Sequence, residues 1–226
     1  MVQGHEPVFL STQYRCHPAI GQLSGSLFYD GHLRNGVTAT ERSPAVHWLP
    51  TLALYNVSGQ EQLTRDGSWQ NDAETKLVVK LVEALVDDGV PGSHIGVITP
   101  YRAQVQQISN HLVSVLAYCP DMARSVLVST VDAFQGGERD AVIVSCVRTC
   151  VQGARDETRR VTVALTRAKR HLAIIACIAG LKPSPLWGKV IQYCQGKGFC
   201  EHLAQEPERQ HKWRKRKKDK GVFQVS

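Results

Sequence analysis

Residues 128–149 read VSTVDAFQGGERDAVIVSCVRT, and after a polar stretch residues 159–171 read RRVTVALTRAKRH. The pattern divides this region. A β-branched run at 125–129 and a continuous apolar run at 141–147 (AVIVSCV) predict two buried strands, and the polar, glycine-bearing 130–140 predicts a loop between them. Unbroken apolar strands separated by long crossings predict a parallel sheet covered by helices on both faces. Ligands of such sheets bind just past the carboxyl ends of the strands. Asp132, Gln135, Gly136, Gly137 and Glu138 are expected at one such end, with Arg160, Arg167, Lys169 and Arg170 soon after the next. Paired glycines allow close backbone approach or a left-handed turn, and the planar fork of arginine matches phosphate oxygens. The region therefore points to a phosphate-bearing ligand. Taken singly, an arginine on a helix is more often a solvated face, and a Gly-Gly after a strand more often a plain turn.

The rest of the chain extends the same architecture. Pro18 opens a helix whose face carries Ile20, Leu23, Leu27 and Phe28. Residues 35–49 and 59–70 read as loops, and 52–57 as a strand. Asn71 or Asp72 caps a helix reaching about Asp88, with Leu77, Val78, Leu81, Val82 and Leu85 as its buried stripe. Residues 94–99 form the next strand, followed by a helix buried through Val105, Ile108 and Leu112. Residues 172–176 (LAIIA) close the sheet and 184–195 form a last amphipathic helix.

Composition narrows the class. The 226 residues are 42% hydrophobic, enough for one α/β domain, with no apolar run long enough to span a bilayer. Seven cysteines without a CxxC pair are expected to be reduced thiols, and Cys194, Cys200 and His202 fit no zinc spacing, so no metal site is expected. The net charge of +7 is unevenly spread: from Glu208 onward there are eight Lys or Arg and two acids, which leaves 19 cations against 18 acids in residues 1–207. The charge thus describes a basic tail suited to nucleic acid, to nuclear import, or to solubility alone.

Four stretches together resemble the up-frameshift type of superfamily 1 helicase. VDAFQGGERD and RRVTVALTRAKRH look like that family's last two motifs, QYRCHPAI at 13–20 resembles its QYRMHP motif, and IGVITPYRAQ at 95–104 resembles its ItPYraQ motif, in the family's order. LWGKVIQYCQG at 186–196 adds a narrower likeness to the GRF-type zinc-finger helicases of animals. The resemblance implies a RecA-like α/β domain, a parallel sheet sandwiched between helices, at about residues 8–195, between an extension at 1–7 and a basic, disordered tail at 196–226. It covers the second RecA-like domain of the motor only. Residues 1–226 contain no GxxxxGK[ST] phosphate loop and no strand-end acidic pair for Mg²⁺.

The site residues follow from the resemblance. Arg167 and Arg15 are implied as arginine fingers on the γ-phosphate of ATP, with Mg²⁺ held by the missing first domain. Tyr14 is implied near the adenine, Gln135 and Gly136 in the nucleotide motif, and Glu138 on the ribose hydroxyls or as a brace for the fingers. Gln135 and Asp132 would relay between the nucleotide and nucleic-acid sides, whereas His17 reads as a packing residue. Cys16 replaces the family's usual methionine, and Thr162 its common asparagine. Thr99, Tyr101, Arg102 and Thr130 are implied as contacts to single-stranded DNA or RNA, although a Pro-Tyr at a strand end is often structural. The expected partners are a single strand and an N-terminal RecA-like domain in cis or trans, with no membrane, in the nucleus or else the cytoplasm. The expected activity is that of the C-terminal half of an ATP-dependent 5′–3′ helicase, inactive alone. A non-enzymatic nucleic-acid-binding module, or a truncated competitor of the whole helicase, is the alternative.

Overall fold

The structure, a computed structural model, describes residues 10–134, 136–150 and 157–202. The extension expected at 1–7, Gln135, and the tail from 203 onward lie outside the described residues. In chain order the elements are β1 (Thr12–Gln13), α1 (Pro18–Phe28), β2 (Arg34–Asn35), β3 (Leu52–Asn56), β4 (Glu61–Leu63), β5 (Trp69–Asn71), α2 (Asp72–Asp87), β6 (Ile95–Thr99) and α3 (Arg102–Val115). There follow α4 (Pro120–Ser125), β7 (Leu127–Thr130), β8 (Arg139–Ser145), α5 (Glu157–Leu165), β9 (Ala168–Ala176), α6 (Ile178–Leu181), α7 (Pro185–Gly196) and β10 (Cys200–His202).

Six strands form one sheet in the order β10-β3-β9-β8-β6-β7, with every pairing parallel. Alternate strand residues face opposite sides. Leu52, Leu54, Val142, Val144, Leu172 and Ile174 pack under Ile20 and Leu23 of α1, Val161 and Leu165 of α5, and Val190 and Ile191 of α7. Ala53, Tyr55, Val97, Ile143, Ala173 and Ile175 pack under the Leu77–Val78–Leu81–Val82–Leu85 stripe of α2 and under Ile108 and Leu112 of α3. The result is the parallel sheet between two helical layers expected of a RecA-like domain.

Local signals place the helices. Pro18 is in the first turn of α1, whose N-cap is His17; its Nδ1 accepts from the Ala19 N–H at 3.1 Å. Asn71 caps α2 through its side-chain oxygen, which accepts from Glu74 N at 3.2 Å.

Four features depart from the sequence-based expectation. Residues 59–70 contain an antiparallel hairpin, β4–β5, not a bare loop. Strand β9 begins at Ala168, ahead of the apolar run at 172–176, so Lys169 and Arg170 belong to the sheet. Beyond the expected domain end at 195, β10 adds an edge strand beside β3. The fourth concerns which edge the site occupies. β7 ends at Thr130 on the carboxyl edge, yet β8 runs parallel with β6 and starts at Arg139 on the amino-terminal edge. Residues 131–134 and 136–138 therefore carry the chain across the width of the sheet, pinned by Phe134, which is only 1% exposed. A Cβ at Gly96 would lie 2.8 Å from the Phe134 ring, so the close passage requires glycine there. Gly136 and Glu138 consequently stand at the amino-terminal edge, not at the carboxyl edge where the strand rule puts them. Arg167, immediately before β9, stands at the same edge.

Candidate functional site

The QYRCHP segment closes into a tight turn around the Gln13 side chain. Its carbonyl oxygen accepts from Arg15 N at 2.9 Å and Cys16 N at 2.8 Å, and its amide donates to the Cys16 carbonyl at 2.9 Å. His17 N donates to the Lys169 carbonyl at 2.8 Å, which ties the turn to the start of β9. Arg139 N donates to the Arg167 carbonyl at 3.1 Å, which holds the β8 and β9 starts side by side. Three segments distant in sequence thus meet at one edge.

Their side chains form a charged cluster. Arg15 Nε donates to Glu138 Oε2 at 2.7 Å and its Nη1 to the Thr166 carbonyl at 3.2 Å. Lys169 Nζ lies 2.8 Å from Glu138 Oε1. The hydrogen bonds from Lys169 and then Arg15 hold the Glu138 carboxyl below the usual carboxylate range. Arg167 donates from Nε to the Val163 carbonyl at 3.0 Å. Burial, and next the charge of Arg15, lower the affinity of Arg167 for its proton. Arg15, Arg167 and Lys169 thus surround the single carboxylate of Glu138, and positive charge is in excess. Such a site favours an anion that can approach both guanidinium groups.

Arg15 and Arg167 open onto one groove of about 270 Å³, also lined by Gln13, Ser24, Tyr29 and Thr162. Tyr14 is 65% exposed with its ring against Gly36, where a Cβ would sit 2.2 Å from a ring carbon. It flanks the groove without lining it. Gly136 holds φ at +84°, a left-handed turn immediately before Gly137 and Glu138. Asp132 makes an exposed pair with Arg160, at 3.2 and 2.9 Å.

The residues expected to hold nucleic acid gather at the opposite, carboxyl edge. Thr99 and Thr130 are register partners in β6 and β7. Thr99 is fully buried, and among the described residues its hydroxyl has no hydrogen-bond partner. Thr130 Oγ1 is half-buried and accepts from Ala133 N at 3.4 Å. Tyr101 is half-buried at the N-cap of α3, and Arg102 is exposed beside it.

The sequence reading missed the groups that frame this edge. Ser68, in the turn of the β4–β5 hairpin, accepts from Ala103 N at 3.0 Å and so caps α3 from outside. Arg148 lies over the Trp69 ring at 4.4 Å and bonds Glu61 Oε2 at 3.0 Å. Below them, Glu74 Oε2 accepts from Ser145 Oγ at 2.6 Å and Val147 N at 2.9 Å, while Asn71 Nδ2 donates to the Val147 carbonyl at 3.1 Å. These bonds hold buried Val147 at φ +68°, a conformation costly for a β-branched residue. The turn at Val147 points Arg148 back toward the hairpin. The signal available in sequence was Asn71-x-x-Glu74, a capping-box spacing whose acid here reaches a neighbouring strand instead. Among the described residues no cluster of three or more His, Cys, Asp or Glu could hold a metal, and no helix is long and apolar enough to cross a membrane.

Known proteins resemble this chain over most of its length. The family described as AAA domain matches residues 1–179. The 5′-3′ DNA helicase ZGRF1 of Mus musculus is 48% identical over 212 residues, covering 93% of this chain and 11% of that protein. The regulator of nonsense transcripts 1 homolog of Arabidopsis thaliana is 35% identical over 235 residues, covering 97% of this chain and 19% of that protein. The ATP-dependent helicase upf1 of Schizosaccharomyces pombe is 34% identical over 209 residues, covering 88% and 23%. The chain therefore spans less than a quarter of the length of each of these relatives. The matched family, the parallel sheet and the four ordered motifs lead to one assignment: the chain belongs to the AAA-domain family, and it resembles the second RecA-like domain of up-frameshift-type superfamily 1 helicases.

Proposed function

We propose that this domain supplies two arginines to the γ-phosphate of an ATP held by a first RecA-like domain, in cis or in trans, and so forms the C-terminal half of an ATP-dependent helicase. The observation that carries the reading is the shared groove: Arg15 and Arg167 arrive from segments about 150 residues apart and face one opening, with Glu138 paired to Arg15 beside it. Phosphoryl transfer depends on positioning and on neutralising charge as the γ-phosphoryl group departs. Arg167, anchored by one backbone bond through Nε, presents its remaining donors to an incoming phosphate. Arg15 is oriented by Glu138, and Lys169 holds the other oxygen of that carboxylate. This double engagement favours a bracing role for Glu138 over a ribose contact. Mg²⁺, held by the first domain, would screen the β- and γ-phosphate oxygens.

The carboxyl edge is the proposed track for single-stranded DNA or RNA. Arg102 offers an exposed cation, Tyr101 a ring, and Thr130 a partly exposed hydroxyl. Thr99 acts through its backbone or through the placement of its neighbours, because its side chain is buried. The name of the mouse relative supports 5′–3′ movement and a DNA substrate, and the basic run at 212–220 supports a nuclear location.

The chain alone is expected to hydrolyse no ATP. Joined to a first RecA-like domain, it should lose roughly 10³-fold or more in kcat on Arg167→Ala or Arg15→Ala. Robust hydrolysis by the isolated chain, or unchanged kcat in both variants, would refute the reading.

A further inference from the structure

Between β2 and β3, residues 37–50 run as a strap across the amino-terminal edge, and both halves of the strap are fixed. The first half is tied at its start, where Gly36 N donates to the Gln13 carbonyl at 2.8 Å, and closes on itself as a turn, where Glu41 Oε2 accepts from Thr38 N at 2.7 Å and Thr38 Oγ1 at 2.8 Å and Arg42 N reaches the Thr38 carbonyl at 3.2 Å. In the second half the Ser43 carbonyl accepts from Arg170 Nη1 at 2.7 Å, and His171 Nε2 accepts from Ala45 N at 2.8 Å and Val46 N at 3.4 Å. Val46 and Leu49 then enter the core, at 6% and 2% exposure. A strap held at both ends places the residue between them with little freedom.

That residue is Arg42. Its Nε donates to the Arg15 carbonyl at 2.8 Å and its Nη2 to the Tyr14 carbonyl at 2.9 Å. The guanidinium thus forks over two consecutive carbonyls, a geometry that a lysine ammonium cannot reproduce. On the other side of the same residues, Gln13 takes the amides of Arg15 and Cys16. The backbone of Arg15 is clamped by its carbonyl from the strap and by its amide from Gln13. With the backbone fixed, the Glu138 pair sets the direction of the Arg15 side chain.

We infer that Arg42 is a positioning residue for Arg15: it touches no nucleotide and acts by holding the Tyr14 and Arg15 carbonyls, so that the Arg15 guanidinium is in place before ATP arrives. The inference rests on the proposed γ-phosphate role of Arg15. Misplacement of a reacting group by about 1 Å can cost on the order of 10²-fold in rate.

The test is a double-mutant cycle on kcat and KM for ATP, in the domain joined to a first RecA-like domain, with Arg15→Ala, Arg42→Ala, Arg42→Lys and the Arg15→Ala/Arg42→Ala pair. Arg42→Ala is expected to lower kcat about 10- to 100-fold with little change in KM, and the pair to be no slower than Arg15→Ala alone. Arg42→Lys is expected to rescue little, since it keeps the charge and loses the fork. Effects that multiply in the pair, or full activity in Arg42→Lys, overturn the inference while leaving the role of Arg15 intact. Unchanged kcat in Arg15→Ala removes that role and the inference with it. If Arg42→Ala melts at a markedly lower temperature, the Arg42→Lys variant decides.

Discussion

Two buried ionisable residues should give this domain a divided response to pH. The His171 ring accepts two backbone N–H groups at Nε2 and places Nδ1 3.2 Å from the Pro50 carbonyl, so the neutral ring fits and the charged one does not. Burial holds its pKa below the ordinary imidazole value. A histidine depressed in the folded state contributes stability that is full above about 6.5 and is lost as pH falls below it. Glu74 behaves oppositely. Burial pushes its carboxyl up to about 7, against the hydrogen bonds from Ser145, Val147 and Cys146. Its contribution is favourable when the group is protonated and is lost as pH rises from the ordinary carboxyl value through about 7, a range on the order of 3 kcal/mol. Between pH 5 and 7 the two slopes oppose. Glu74→Gln should therefore steepen the loss of melting temperature on acidification, and His171→Gln should reverse it. Thermal melts at pH 5, 6 and 7 check both; parallel curves for the two variants would contradict the assignment.

Among the elements, the hairpin and the crossing segment were hardest to read from sequence. Helix α2 was legible because its apolar residues repeat at helical spacing behind an Asn cap. The hairpin strands EQL and WQN carry no such alternation; they are held by Glu61 to Arg148, by the Trp69 stack and by Ser68 on α3, contacts spanning 35 to 87 residues. Ser68→Ala removes the external cap of α3 and should cost about 1 kcal/mol in chemical denaturation, with the sheet unchanged. The early start of β9 was hidden because charged Lys169 and Arg170 open it, and both reach acids at the sheet edge, Glu138 and Asp140. Helix α6 gives a steric check: a Cβ at Gly180 would lie 1.8 Å from the Thr149 carbonyl oxygen. Gly180→Ala must displace that backbone, and a loss of about 2 kcal/mol or more is expected by the same measurement. No change would mean that α6 does not press on the loop after β8.

Over the whole molecule, the proposed function divides two tasks between the two edges of the sheet. The motifs single out Arg15 and Arg167, which the fold brings to one groove, and the set Thr99, Tyr101, Arg102 and Thr130, which it gathers at the carboxyl edge. The carboxyl edge of the strand-end set was legible as well, whereas the amino-terminal edge of Gly136, Glu138 and Arg167 was not, because residues 131–134 and 136–138 carry the chain back across the sheet, pinned by buried Phe134. The amino-terminal edge gathers Arg15, Arg167 and Glu138, while the carboxyl edge presents Tyr101 and Arg102 next to the hairpin. The proposed motor needs these tasks coupled yet distinct, and the parallel sheet is the body between them. The most direct measurement is steady-state ATP hydrolysis against single-strand concentration, for the domain joined to a first RecA-like domain. Arg15→Ala should collapse the maximal rate and leave the half-saturating strand concentration within about twofold, whereas Arg102→Ala should raise that concentration, more so at low salt, and leave the maximal rate intact. If Arg15→Ala shifted only strand half-saturation, or Arg102→Ala abolished the rate at saturating strand, the division of labour between the two edges would be wrong.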